Sequence, residues 1–280
     1  MDNSFPSREA HEAISEPISS RPNEVRLCGL AAVRARFQTN PDSFKRLYFD
    51  YDTGRKLGII SKVLAANRKI YRCVETHELE KLSGSIHHGG VVAVVTPNPL
   101  EGIKESDITK WVKRSDTILV LDSIGNAHNL GAIARTAAFF GVNRIVIADS
   151  PGAAKPNDAA YRVAEGGLEH VEVRLVSSLP QFLKALSTAG YSVVGTSVKK
   201  EAAKTPQALD KITEKLQGKP VALVLGNEEY GISQEVATSC SDLVMIPGSG
   251  NVESLNVSAA ASILIWELMR ASSHKKSSKK

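Results

Sequence analysis

TILVLDSIGNAHNLGAIARTA, residues 117–137, decides the architecture of the larger part of this chain. Thr117 to Leu121 is a continuous β-prone run, the pattern of a strand buried on both faces. After Asp122 the period changes. Leu130, Ile133, Ala134 and Ala137 fall at i, i+3, i+4 and i+7, one apolar stripe of a helix. A buried strand that runs directly into an amphipathic helix is half of a βαβ unit, the building block of a parallel sheet. Asn129 is expected to cap this helix, and Gly141 to close it. At 3.6 residues per turn, Arg135 lies about 140° from the centre of the stripe and so projects away from the core.

The same rhythm continues downstream. Strands are expected at Arg144 to Ala148, Val171 to Leu175, Ser192 to Thr196, Val221 to Leu225 and Leu243 to Ile246. Helices are expected near Leu179 to Ala189, Ala208 to Gln217 and Ser233 to Ser239, with a long final helix over Val257 to Ser272. Strands this apolar need helices on both faces, so residues 116–272 read as an α/β domain. Upstream, residues 23–96 form a smaller α/β pattern. Val25 to Phe37 reads as a short helix, Arg46 to Tyr51 as a strand, Leu57 to Asn67 as a helix, Ile70 to Val74 as extended and His77 to Leu82 as a helix. Val91 to Val95 is a buried strand. Pro97 and Pro99 stop it, because proline lacks the N–H a ladder needs, and the polar stretch 97–115, with a short helix near Trp111, reads as a linker. Residues 1–22 carry three prolines and no sustained period and read as disordered. Residues 273–280 read as a basic, solvated tail.

Composition narrows the function classes. The chain has 280 residues, 42% of them hydrophobic, and a net charge of +5, which suits a phosphate-bearing partner. No apolar run reaches the roughly 20 residues of a membrane span, and the polar start lacks a signal peptide's apolar stretch, so a cytoplasmic protein is expected. Cys28, Cys73 and Cys240 lie far apart, and the histidines show no ligand spacing, so neither a disulfide framework nor a metal is expected. There is no G-x-x-x-x-G-K-[ST], and no G-x-G-x-x-G after the first strand of the larger half, which argues against NTPase and hydride-transfer chemistry.

Two further motifs lie at strand ends. Gly226 to Ser233 (GNEEYGIS) directly follows a strand, where a glycine lets the backbone turn sharply or approach a ligand, and ligands of open α/β sheets lie outside the carboxyl ends of the strands. Ile246 to Ser258 (IPGSGNVESLNVS) leads into the final helix, with the cap-type residues Ser254, Asn256 and Ser258 clustered at its start.

Together and in this order, the three motifs resemble the signatures of the SpoU/TrmH methyltransferases of the SPOUT superfamily: N-x-G-A-x-x-R-T-A at Asn129 to Ala137, G-x-E-x-x-G at Gly226 to Gly231, and S-L-N-V-S at Ser254 to Ser258. Residues 23–96 are more loosely similar to the ribosomal-protein-L30e-like domain that often precedes them. The resemblance implies a carboxy-terminal trefoil knot, a homodimer through the carboxy-terminal domain, and methyl transfer from S-adenosylmethionine to a ribose 2′-hydroxyl of tRNA or rRNA. It places Thr196, Gly226, Ile246 and Leu255 at the cofactor, and Asn129, Arg135, Glu228, Ser254 and Asn256 in the catalytic set. Because a guanidinium scarcely deprotonates, Arg135 is expected to hold a phosphate and the developing alkoxide charge, oriented by Glu228 and Asn129. Ser254 and Asn256 would fix the ribose or the cofactor. RNA contacts in the amino-terminal domain are expected from Arg34, Arg36, Arg46 and Arg72. The sequence departs from the family pattern at Gly248, often methionine, and at Ala127–His128, where a proline commonly precedes the asparagine. A catalytically silent RNA-binding protein of the same fold is the alternative.

Overall fold

In the computed structural model, which describes residues 23–197, 204–208, 211–212, 215–216 and 219–277, the chain divides between Asn98 and Pro99 into two units. The expected disordered start over 1–22 and the last three residues of the expected tail lie outside the described residues, as does much of the expected helix over 208–217.

The first unit is a four-stranded mixed sheet of order β1-β4-β2-β3, built from β1 (Val25–Cys28), β2 (Phe44–Phe49), β3 (Ile70–Cys73) and β4 (Val91–Val95). All five residues of β4 are buried, as its apolar run requires of a strand flanked by two others. The expected helix over Val25 to Phe37 is corrected at its start. Val25–Cys28 is a strand paired antiparallel to β4, and the helix α1 (Leu30–Thr39) begins only after Gly29 at φ 87°. That conformation favours glycine and separates two elements that apolar content alone had merged. The expected strand over Arg46 to Tyr51 ends at Phe49. Asp50 accepts a hydrogen bond from Thr53 N at 2.8 Å and caps the short helix α2 (Tyr51–Gly54). Two more helices, α3 (Gly58–Ala66) and α4 (Thr76–Ser83), complete the unit.

The second unit carries an eight-stranded sheet in which every pairing is parallel. Its strands are β5 (Glu101–Gly102), β6 (Ile118–Leu121), β7 (Arg144–Ala148), β8 (Glu172–Val176), β9 (Ser192–Thr196), β10 (Gln207–Ala208), β11 (Val221–Leu225) and β12 (Asp242–Met245), in the order β10-β12-β9-β11-β6-β7-β8-β5. The helices are α5 (Glu105–Arg114), α6 (Ala127–Phe140), α7 (Asp158–Ala164), α8 (Leu179–Thr188), α9 (Gln234–Ser239) and α10 (Val257–Ser277). From β6 the chain steps outward through β7 to β8, then crosses to lay β9 on the far side. The switch in direction lies beside β6, whose neighbour on that side is β11, and such sheets leave a crevice at the carboxyl ends of the strands there.

The expected linker over 97–115 does not describe this segment. Glu101–Gly102 adds an edge strand beside β8, and α5 buries Trp111 to 3% exposure in a core with Ile118, Phe182 and Leu183. The Arg144 guanidinium stacks 5.2 Å from the Trp111 ring and pairs with Asp116 at 2.6 Å. The expected short helix near Trp111 is present and longer, and Ile108 and Val112 pack beside Trp111 against the same core. At the other end, α10 continues to Ser277, past the expected boundary at Ser272 and into the expected tail. Among the described residues, no helix is long and apolar enough to cross a membrane.

Candidate active site

The loop after β6, the loop after β11 and the segment after β12 are laced together by hydrogen bonds that centre on two buried polar side chains, Asp122 and Asn129. Asp122, 5% exposed, directly follows β6. Its backbone N–H donates to Leu225 O at 2.8 Å, and its carboxylate accepts from Ser233 N at 2.7 Å and from Ser123 Oγ at 3.1 Å. The loop after β11 closes on itself through two backbone bonds between Asn227 and Gly231, each 2.9 Å. Asn227 Oδ1 accepts from Glu229 N and Tyr230 N, while its Nδ2 donates to Ser123 O at 2.9 Å. Gly226 is required here, since a Cβ would come within 2.2 Å of the Gly231 carbonyl carbon.

Asn129 does not cap its helix. Asn126 does, with Oδ1 accepting from His128 N at 2.8 Å, so α6 begins at Ala127 and Asn129 lies inside the first turn. That placement frees its buried side chain for another task. Asn129 Nδ2 donates to Glu228 Oε1, and its Oδ1 accepts from Asn256 Nδ2 at 3.2 Å. Asn256 Oδ1 in turn accepts from Ser258 N at 2.9 Å and from Ser258 Oγ at 2.6 Å, holding the start of α10. One residue from each motif thus meets in a single chain of hydrogen bonds, and an amide serves in the middle as both donor and acceptor.

Arg135 is exposed, as its position on the helix predicts, but its carboxylate partner is Glu165 at 2.9 Å and not Glu228. The expected orientation of Arg135 by Glu228 and Asn129 is corrected accordingly: those two bond to each other. The helix that carries Arg135 is closely packed. A Cβ on Gly131 would approach Ala160 O to 2.4 Å, and one on Gly167 would approach Arg135 Cα to 2.7 Å. On another flank, Thr136 Oγ1 and Ser262 Oγ lie 3.1 Å apart and join α6 to α10.

Ser254 is exposed and stands outside the Asn129–Glu228–Asn256 set. The expected cofactor positions are distributed over three strand ends. Gly226 is buried, Ile246 and Thr196 are half-buried, and Leu255 is 46% exposed. Among the described residues, no group of histidines, cysteines and acids could hold a metal ion. Asp122, Asn126, Asn227 and Glu165 had no role in the sequence reading. An aspartate directly after a buried strand was the available signal for the first, whereas nothing local marks Glu165.

In the first unit, two of the four expected RNA-contacting arginines are held by partly or fully buried polar contacts. Arg36 is fully buried, with Nη1 donating to Asn98 Oδ1 at 2.8 Å and to Thr96 O at 3.3 Å, so it fastens the end of β4. Arg46 is paired with Glu24, itself 7% exposed. Arg34 is exposed and donates to Lys56 O at 3.2 Å, and Arg72 is half-buried on the edge strand β3.

Residues 116–266 match the model of the SpoU rRNA methylase family, and residues 26–100 match that of RNA 2′-O ribose methyltransferase substrate binding. The chain is 35% identical to the uncharacterized tRNA/rRNA methyltransferase YfiF of Escherichia coli O157:H7, over 89% of this chain and 69% of that protein. It is 33% identical to the 23S rRNA (guanosine-2′-O-)-methyltransferase RlmB of Nitrosomonas europaea, over 88% and 92%. An AdoMet-bound rRNA methyltransferase from Sinorhizobium meliloti shares the fold, with a TM-score of 0.70 and 22% identity over 89% of this chain and 87% of that one.

Proposed function

The chain belongs to the SpoU rRNA methylase family, and on that premise we propose that it transfers a methyl group from S-adenosylmethionine to a ribose 2′-hydroxyl of ribosomal or transfer RNA. The observation that carries this reading is the hydrogen-bonded set of Asn129, Glu228 and Asn256, one residue from each motif, beside a helix that presents Arg135.

The strand ends suit the cofactor. Leu255 holds a large apolar side chain partly in solvent, and Ile246 is half-buried at the other end of the same segment, surface that an adenine ring would cover. Gly226 keeps the backbone near enough for its own polar groups to be used. S-adenosylmethionine supplies a methyl group already activated by its sulfonium. The protein therefore needs mainly to align a 2′-oxygen and ease its deprotonation. Arg135 binds the neighbouring phosphate and offsets alkoxide charge as it develops, a role for a permanent cation rather than a base. Asn129, Glu228 and Asn256 hold the three segments in register, and Ser254 and Thr196 offer hydroxyls at the rim.

The rest of the reading follows the family. The first unit is an L30e-like domain that delivers RNA, acting through Arg34 and Arg72. The trefoil knot at the carboxy-terminal end is carried over from the family resemblance. A homodimer is supported by a patch of Phe139, Ile263 and Trp266, which are 82%, 41% and 53% exposed; Phe140 links the patch, with its ring centroid 5.8 Å from that of Trp266.

The test is incubation of the purified protein with tritiated S-adenosylmethionine and total RNA, followed by alkaline hydrolysis. Label should appear in alkali-resistant dinucleotides, as 2′-O-methylation requires. RNA binding without transfer would favour the catalytically silent alternative, and label on a base would overturn the reaction proposed.

A further inference from the structure

Arg135 has a neighbour that none of the three motifs contains. Its Nη2 lies 2.9 Å from Glu165 Oε2, and both side chains are slightly more than half exposed. Glu165 terminates α7 in the left-handed region, at φ 45° and ψ 42°, a conformation glycine adopts freely and glutamate does not. Gly166 follows at φ 93°, and at Gly167 a Cβ would come within 2.7 Å of Arg135 Cα. The turn is therefore pressed against the backbone of Arg135, while its strained residue carries a carboxylate to the guanidinium. An exposed ion pair adds little to folding, and glycine would suit the turn better than glutamate does. Stability therefore gives no reason for a carboxylate at this position.

We propose that Glu165 is a positioning residue for Arg135, holding Nη2 so that the remaining guanidinium donors are presented to the RNA. A guanidinium carries five N–H donors in a rigid fork. One acceptor at Nη2 restricts a long side chain that would otherwise sample many rotamers, and it leaves Nε and Nη1 for a phosphate oxygen or the 2′-oxygen. The proposal rests on the assignment of Arg135 to the RNA backbone. It also places the turn after α7, remote from all three motifs in sequence, in control of the reaction.

The experiment compares kcat and KM for RNA, affinity for S-adenosylmethionine and Tm among Glu165→Gly, Glu165→Ala, Glu165→Gln and Arg135→Ala. Glu165→Gly relieves the strained backbone as it removes the carboxylate. Its Tm should equal or exceed that of the parent and its cofactor affinity should be unchanged, while kcat falls about tenfold. Glu165→Ala should lose kcat similarly, and Glu165→Gln, which keeps an acceptor oxygen at the same reach, should recover part of the loss. Parental kcat in both the glycine and alanine variants, with Arg135→Ala inactive, overturns the proposal and leaves the role of Arg135 standing. Parental turnover in Arg135→Ala brings down that role, and this proposal with it.

Discussion

Asn256 donates to Asn129 at 3.2 Å across 127 positions of sequence. The bond ties the segment entering the last helix to the first turn of α6, and through Asn129 it reaches Glu228 on the third loop. Removing the middle member should release both ends at once. Asn129→Ala is expected to cost about 1–3 kcal/mol, because a buried amide loses two hydrogen bonds at about 0.5–1.5 kcal/mol each, and to lower kcat as well. Denaturant melts alongside turnover measurements check this, and a double variant with Asn256→Ala should lose less than the sum of the two single effects.

Arg135→Ala should lower kcat by about 100- to 1000-fold while leaving S-adenosylmethionine affinity near that of the parent, measured by calorimetry. The guanidinium is exposed and paired with Glu165, and the proposed cofactor residues lie on other segments, so a large loss of cofactor affinity would contradict the division of roles between helix and loops.

Gly226→Ala forces a methyl group to within 2.2 Å of the Gly231 carbonyl carbon. The loop must open, with a destabilisation of about 2–3 kcal/mol and weakened cofactor binding. Gly248→Ala is the matched control. Nothing lies within 4 Å of a Cβ there, and both properties should stay close to those of the parent.

The aromatic patch predicts an assembly. Phe139→Glu combined with Trp266→Glu should convert a dimer to a monomer in sedimentation velocity, since two charges would be buried without partners. A parent protein that sediments as a monomer at micromolar concentration would remove the homodimer from the reading.

Thiol chemistry offers an independent check on the core. Burial pushes the Cys240 thiol up to about 12, and Cys28 is also buried, whereas Cys73 is exposed. The raised value favours the neutral thiol, and only the thiolate is a nucleophile. At pH 8 an alkylating reagent should therefore modify Cys73 rapidly and the other two only after denaturation, as peptide mass mapping would record.

Elements with a single strong pattern were readable from sequence. The apolar runs at β4, β6, β7 and β11 could be nothing but buried strands, and the stripe on α6 fixed which way Arg135 points. Errors arose where two local signals competed. Asn126 and Asn129 are both capping residues, and the nearer one to the strand took the cap and released the other for the site. In α5, charged residues outnumber apolar ones, so Trp111 did not register as a core position. Arg36 read as an RNA contact because its acceptors, Thr96 and Asn98, lie 60 and 62 positions away. Glu165 was invisible for a similar reason: its importance comes from a turn conformation and a partner 30 residues earlier, neither of which leaves a periodic trace.

The two missing side chains at Gly131 and Gly167 have a consequence for how this enzyme could change its target. With backbone this close on one flank and α10 bonded on another, α6 has nowhere to slide or tilt, and Arg135 is mounted at a fixed address on the sheet. A new RNA cannot be met by moving the arginine toward it. If Arg135 acts as proposed, the nucleotide has to be brought to the arginine, so variants with altered targets should carry their changes outside α6, with the helix itself left untouched.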